Sequence, residues 1–150
     1  MPDPIEFDFI TMNRGVIEEF RANNGKVGGV FAGQPLLILH HIGAKTGVAR
    51  LSPLATLVEG GRIFIFASKG GADTHPDWYR NILANPHVTV ELGTETFTAT
   101  ASVVTGAERD EIYAKQSARY PQFEDYQRNS TRLIPVVELV TDGRTSVLVE

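Results

Sequence analysis

The sequence predicts a mainly β domain of the α+β class: one mostly antiparallel sheet, curled and closed into a small barrel, with helices on its flanks. Three observations lead there. Short apolar or alternating runs recur along the chain, most are joined by tight glycine-containing turns, and helices do not alternate with them as the crossovers of a parallel sheet would require. With 150 residues, 42% hydrophobic and 21% charged, the chain has the size and composition of a single folded domain, which excludes disorder, collagen and coiled coil.

Between Ile5 and about Arg21, Phe9, Met12, Val16 and Phe20 recur at helical spacing with Glu6, Glu18 and Glu19 on other faces, so an amphipathic helix packed on the domain is expected. The glycine-rich stretch Asn23 to Gly29 reads as a loop into the first strand, which makes residues 1–30 a helix and loop at the start of one domain spanning 1–150. Leu36-Leu37-Ile38-Leu39 is an apolar run followed by His40-His41 and the turn Gly43-Ala44-Lys45-Thr46-Gly47, a strand ending in a tight loop. Leu51 to Val58 is a second strand, Glu59 to Arg62 a hairpin turn, and Ile63 to Ala67 a strand apolar on both faces. Ser68-Lys69-Gly70-Gly71 interrupts it. Thr74-His75-Pro76-Asp77 then resembles a capping box with proline in the first turn, opening a helix with Trp78, Tyr79, Ile82 and Leu83 that Asn85-Pro86 stops.

His87 to Leu92 alternates, and Thr96 to Val103 alternates hydroxyls with Phe97, Ala99, Ala101 and Val103, a hairpin wetted on one side. Thr105 and Glu108 form a capping box for a helix to about Tyr120 that carries Tyr113, Ser117 and Tyr120 on one face and is ended or kinked by Pro121. Ile134 to Val140 and Thr145 to Val149 make a last hairpin around Thr141 to Arg144.

Composition and spacing remove several function classes. With 14 Lys+Arg against 18 Asp+Glu the net charge is -4, so no general positive field gathers nucleic acid. The chain has no cysteine, hence no disulfide framework, thiolate metal site or cysteine nucleophile. No run approaches the roughly 18 unbroken apolar residues of a membrane span, and acids stand near the amino end where a signal peptide carries cations. A cytoplasmic protein without a transmembrane segment is expected, peripheral association at a membrane being left open. Adjacent His40 and His41 point to opposite faces of a strand and no zinc-binding spacing exists elsewhere, so no metal is expected. Ser68, His75 and Asp73 or Asp77 lack a nucleophile elbow, and neither a Walker loop nor a Rossmann fingerprint is present.

Three constellations remain. Gly43 to Gly47 with Arg50 brings two cations, a hydroxyl and glycine-flanked amides together, the ingredients of an anion nest, although a solvated hairpin turn has the same residues. Ser68 to Gly71 joins a buried strand to the helix of Asp77 and Trp78, so that amides, a cation and an aromatic wall meet; the tryptophan is equally suited to plugging the core. Two glycine-and-lysine loops ending neighbouring strands of an acidic protein suggest a ligand with a phosphate and a planar ring system. Tyr120, Phe123 and Tyr126, spaced three apart, suit either an apolar substrate pocket or the core.

Leu36 to Leu39, Gly43 to Arg50, Ser52-Pro53-Leu54, Ala67 to Gly71, His75 to Asn81 and Ala84-Asn85-Pro86, in this order and spacing, resemble the deazaflavin (F420)-dependent nitroreductase-type oxidoreductases over about Gly33 to Val140. The resemblance implies a split β-barrel binding coenzyme F420. It assigns the cofactor phosphate to Lys45, Thr46 and Arg50, the ring to Ser52, Pro53 and Ala55, its polar edge to Ala67, Ser68, Lys69 and Gly70, and the closing helix to Asp77, Trp78 and Asn81. The substrate side falls to Tyr120, Phe123 and Tyr126, with Tyr126, Tyr120 or solvent supplying the proton. Ala44 stands where family loops commonly carry arginine, and Phe123 where members that reduce nitroaromatics often carry tyrosine. The implied activity is hydride transfer from the reduced deazaflavin to a small electrophilic acceptor, a quinone, nitroaromatic or conjugated carbonyl, by a monomer or weak homodimer. A non-catalytic F420-binding or carrier protein and a split-barrel reductase using flavin mononucleotide (FMN) are the alternatives.

Overall fold

The computed structural model describes residues 14–23, 25 and 35–141. Six strands, β1 (Leu36–Ile42), β2 (Ala49–Glu59), β3 (Arg62–Phe66), β4 (His87–Leu92), β5 (Glu95–Val104) and β6 (Val136–Thr141), close into an antiparallel barrel in the order β1-β2-β3-β6-β5-β4. Helix α1 covers residues 14–22, α2 is Asp77–Ala84, α3 Gly106–Arg119 and α4 Gln122–Asn129. The closed antiparallel barrel with flanking helices is the architecture expected from the turns. Closure pairs most of the sheet edge that a flat arrangement of these short strands would expose.

Strand alternation divides the core. Leu37, Leu39, Ile63, Ile65, Val88, Val90, Ala99, Val137 and Leu139 fill the barrel, joined by Trp78 and Ile82 of α2. Leu36 and Ile38, on the other face of β1, meet Val16, Ile17 and Phe20 of α1. Leu57, Phe64, Phe66 and Val136 meet Ile112, Tyr113 and Phe123 of α3 and α4. Each such side chain contributes about 1.5–3 kcal/mol when fully buried, so the helices are held mainly by these apolar faces.

The structure alters several local expectations. Pro76 is the residue before α2 rather than part of its first turn, and no side chain caps that helix; the Thr74 hydroxyl meets Lys69 Nζ at 3.2 Å instead. Leu83 points outward and is exposed. Thr105 precedes α3 but makes no side-chain cap, and Glu108, expected to complete the box, lies 3.3 Å from Arg62. In β5 the barrel-facing alternation fails at its end: Val103 is exposed, while Val104 is covered by the α3 cluster. The last described strand begins at Val136 rather than Ile134. Phe9 and Met12, most of the glycine-rich loop and the strand expected at 145–149 lie outside the described residues.

One feature of the register positions the site. β2 pairs with β1 from Ala49 to Ala55, but with β3 only from Thr56 onward. Residues 49–55 therefore have a strand partner on one side only among the described residues. The Thr56 amide donates to Pro35 O at 3.1 Å, on the β1 side, and backbone groups alternate along a strand. Leu51 and Pro53 thus turn theirs to the free edge, where the missing N–H of proline interrupts no ladder.

Candidate functional site

The first loop closes on itself. Gly43 N–H donates to Val48 O and Gly47 N–H to Gly43 O, both at 2.9 Å, while Thr46 Oγ1 accepts from Val48 N–H at 3.3 Å. Gly43 makes room for this bond, since an added Cβ would stand 2.5 Å from Thr46 Oγ1 and the hydroxyl would have to shift. Lys45, Thr46 and Arg50 are exposed, and neither cation has an acidic partner among the described residues. An unneutralised pair of cations beside such a loop attracts an anion.

Behind the loop lies a hydrogen-bonded chain. Ala44 N–H donates to Asn81 Oδ1 at 2.9 Å, Asn81 Nδ2 lies 3.0 Å from His41 Nδ1, and His41 Nε2 lies 2.9 Å from Ser52 Oγ. Burial, reinforced by the charges of Arg50 and His40 and opposed by Asp77, pushes the His41 pKa down to about 4. At neutral pH the imidazole is therefore uncharged.

The second loop leaves the buried Ala67, whose N–H donates to Pro135 O at 3.0 Å, and turns through Ser68 and a single 3-10 turn at Lys69–Gly71. Lys69 has φ +47, a strained conformation for a residue with a Cβ, and Gly71 has φ +88. A Cβ on Gly71 would approach Tyr126 Cα to 3.1 Å, so this turn rests directly on α4. Arg132 ties the loop down, donating to Ser68 O at 3.0 Å and Ala72 O at 3.1 Å. Thr131 donates twice to Asp73, and these bonds hold the Asp73 carboxyl below its ordinary range.

The aromatic end is a web of edge-to-face rings. Phe66, Tyr113 and Phe123 lie 5.7–6.3 Å apart, and Tyr126 lies 5.2 Å from Phe123. The Tyr113 hydroxyl donates to Phe123 O, and burial pushes its pKa up to about 12. Phe123 is buried; Tyr120 and Tyr126 are half-buried at the margin of this cluster, as is Ala55. Gln116, on the inner face of α3 beyond Tyr113, is fully buried, yet its carboxamide has no hydrogen-bond partner among the described residues.

β2 brings these parts together. Its five steps from Arg50 to Ala55 span about 17 Å at ~3.4 Å per residue. The cationic loop stands at the Arg50 end, and Ala55 touches the aromatic cluster at the other. Continuing the β2–β3 register past Thr56 and Ile65 sets Ser68 level with Pro53. The two lysine loops therefore end β1 and β3, which flank β2 and do not pair with each other, contrary to the expectation of neighbouring strands. Lys45, Thr46, Arg50, Ser52, Pro53, Ala55, Ala67, Ser68, Lys69 and Gly70 all belong to this track or its two loops. Trp78 does not: it fills the barrel interior. Asp77 is exposed, 4.0 Å from Arg80, and α2 reaches the track through Asn81. Among the described residues no cluster of His, Cys, Asp and Glu is arranged to hold a metal ion, and no helix is long and apolar enough to cross a membrane.

The family model for F420H(2)-dependent quinone reductase matches residues 12–141, which include the whole track. The chain belongs to this family. An F420H(2)-dependent quinone reductase of Mycobacterium tuberculosis (strain ATCC 25618 / H37Rv) is 36% identical over 126 residues, covering 80% of this chain and 83% of the relative. A solved F420-H2 dependent reductase, FDR-A, superimposes with a TM-score of 0.64 at 38% identity over 70% of this chain and 93% of its own. A second solved relative, a domain-swapped dimer, gives 0.65 at 34% identity over 89% and 98%. The family confirms the resemblance carried by the loop and strand motifs.

Sequence reasoning missed His41, Arg132 and Gln116. A histidine at the end of an apolar strand run looks like core, and Arg132 bonds carbonyls about 60 residues upstream from an irregular segment, where no local pattern marks it.

Proposed function

We propose that this F420H2-dependent reductase seats its cofactor along the free edge of β2 and reduces a small electrophilic acceptor, a quinone foremost, beside Tyr120 and Tyr126. The placement of Arg50 about 17 Å along β2 from Ala55, which touches the aromatic cluster, with Lys45 in the adjoining loop and one edge of the strand open, carries the reading. The residues fit the group: unneutralised cations and a hydroxyl for a phosphate, smooth Pro53 and Ala55 for a flat ring, and the Ser68–Gly70 backbone for its polar edge. When bound, the reduced deazaflavin supplies the hydride.

The chain's part is positioning and proton supply. Lys45, Thr46 and Arg50 fix the anionic end, and the rigid β2 backbone sets the ring against an acceptor about 3–3.5 Å away. The apolar faces of Phe123 and Phe66 keep water from the acceptor. A quinone that gains hydride needs one proton to become the hydroquinone. Phe123 has no hydroxyl and the Tyr113 hydroxyl is engaged with Phe123 O, which leaves Tyr126, Tyr120 or solvent to give that proton. Nitroaromatics and conjugated carbonyls take the same site by the same electron demand. A cytoplasmic location and a monomer or weak homodimer complete the proposal, and sedimentation at working concentration tests the latter.

The decisive experiment mixes purified protein, reduced F420 and a menadione-like quinone, following cofactor oxidation against a protein-free control. Acceptor-dependent oxidation is expected. Tight F420 binding without oxidation would leave a carrier, and a yellow protein holding FMN would replace the cofactor assignment.

A further inference from the structure

The chain from Ala44 to Ser52 fixes the direction of every hydrogen bond in it. The Ala44 amide can only donate, so the atom of Asn81 that receives it, at 2.9 Å, is the carbonyl oxygen Oδ1. Asn81 Nδ2 must then donate, and the atom 3.0 Å away, His41 Nδ1, must accept and carry no proton. A neutral imidazole keeps its single proton on the other nitrogen, so His41 Nε2–H donates to Ser52 Oγ at 2.9 Å. A second proton on Nδ1 would face the Asn81 amide hydrogens, in keeping with a ring buried to 3% exposure and held neutral. One of the two lone pairs of Ser52 Oγ is thereby filled. Its own hydroxyl proton makes no hydrogen bond among the described residues, and the side chain is only half-buried on the stretch of β2 that is paired on one side.

We propose that His41 is a positioning residue that turns the Ser52 hydroxyl proton toward the ligand, so that this point of the track favours an acceptor atom, a carbonyl oxygen or an unprotonated ring nitrogen, over a donor. The inference rests on the reading that a deazaflavin lies along β2, and it adds the polarity of one contact. It also ties this contact to the cationic loop, to which the amide that starts the chain belongs.

Two measurements test it. The first needs no ligand: imidazole 15N shifts of the free protein at neutral pH should show His41 protonated at Nε2 and bare at Nδ1. The second titrates oxidised F420 into wild type, S52A, H41F, H41Q and the S52A/H41F double variant. Losing one neutral hydrogen bond should weaken binding about three- to tenfold in S52A and in H41F. The double variant should bind no more weakly than S52A, because both changes remove the same contact. H41Q, which returns an N–H to Ser52, should stay within about twofold of wild type. A proton on Nδ1, effects of H41F and S52A that multiply, or H41Q resembling H41F would each overturn the proposal. Wild-type protein that binds no deazaflavin would overturn the cofactor reading and with it the ligand side of this one, and the 15N shifts would then decide the tautomer alone.

Discussion

Replacing Gly71 with alanine tests whether the second loop is seated on α4. Gly71 has φ +88, and an added Cβ would meet Tyr126 Cα at 3.1 Å and Tyr126 O at 3.2 Å. Gly60, at the tip of the β2–β3 turn, has φ +59 and nothing within 4 Å of its added Cβ, so it shares the conformational cost but not the collision. A left-handed L-residue costs about 1–2 kcal/mol, partly offset by a stiffer unfolded chain, which leaves G60A destabilised by about 1 kcal/mol. Overpacking adds about 1–3 kcal/mol, so G71A should lose about 2–4 kcal/mol. At about 2–4 °C per kcal/mol for a domain of this size, thermal unfolding should fall by roughly 2–4 °C in G60A and 5–15 °C in G71A. Because the displaced atoms are Tyr126 backbone, KM for the quinone should rise in G71A alone. Equal melting shifts in the two variants would refute the contact, and with it the joining of the second loop to the aromatic end.

Three further outcomes follow from particular groups. The His41 pKa is lowered to about 4 from an ordinary 6.5; the unfolded chain therefore takes up this proton between pH 6.5 and 4 while the folded chain does not. Stability should accordingly drop across that window by up to about 3 kcal/mol, and denaturant titrations at pH 7 and 4.5 should find that part missing in H41Q. Gln116→Leu removes two unpartnered buried polar atoms at similar volume, so it should raise thermal stability rather than lower it, and a large loss would mean that the carboxamide is satisfied in solution. Tyr126→Phe should lower kcat by about a hundredfold with F420 affinity unchanged if Tyr126 is the proton donor, whereas an effect confined to Tyr120→Phe would move the role there.

The barrel was legible because its signals are local. Gly60-Gly61, both at positive φ, mark the two-residue turn between β2 and β3, and continuous apolar runs mark strands buried on both faces, such as β1 and β3. The two lysine loops were legible as glycine-bearing turns for the same reason. What joins them was not. The hydrogen bond from Ala44 to Asn81 crosses 37 residues, and the bonds from Arg132 to Ala72 and Ser68 cross 60 and 64, distances at which no spacing rule operates. Trp78 beside a lysine loop suggested a ligand wall, but Trp78 and Ile82, four apart on α2, share a face and both turn into the barrel. The capping boxes at Thr74 and Thr105 failed where stronger or nearer partners, Lys69 and Arg62, engaged Thr74 and Glu108 respectively.

In the proposed reading one elongated anionic cofactor spans β2 from the Lys45 loop to the aromatic end. Equilibrium titration of wild type and K45A with F420 and with a deazaflavin lacking the phosphate decides whether it does. Loss of a charged hydrogen bond should weaken F420 about 10- to 150-fold in K45A while leaving the phosphate-free ring unaffected. Equal weakening of both ligands, or of neither, would contradict it.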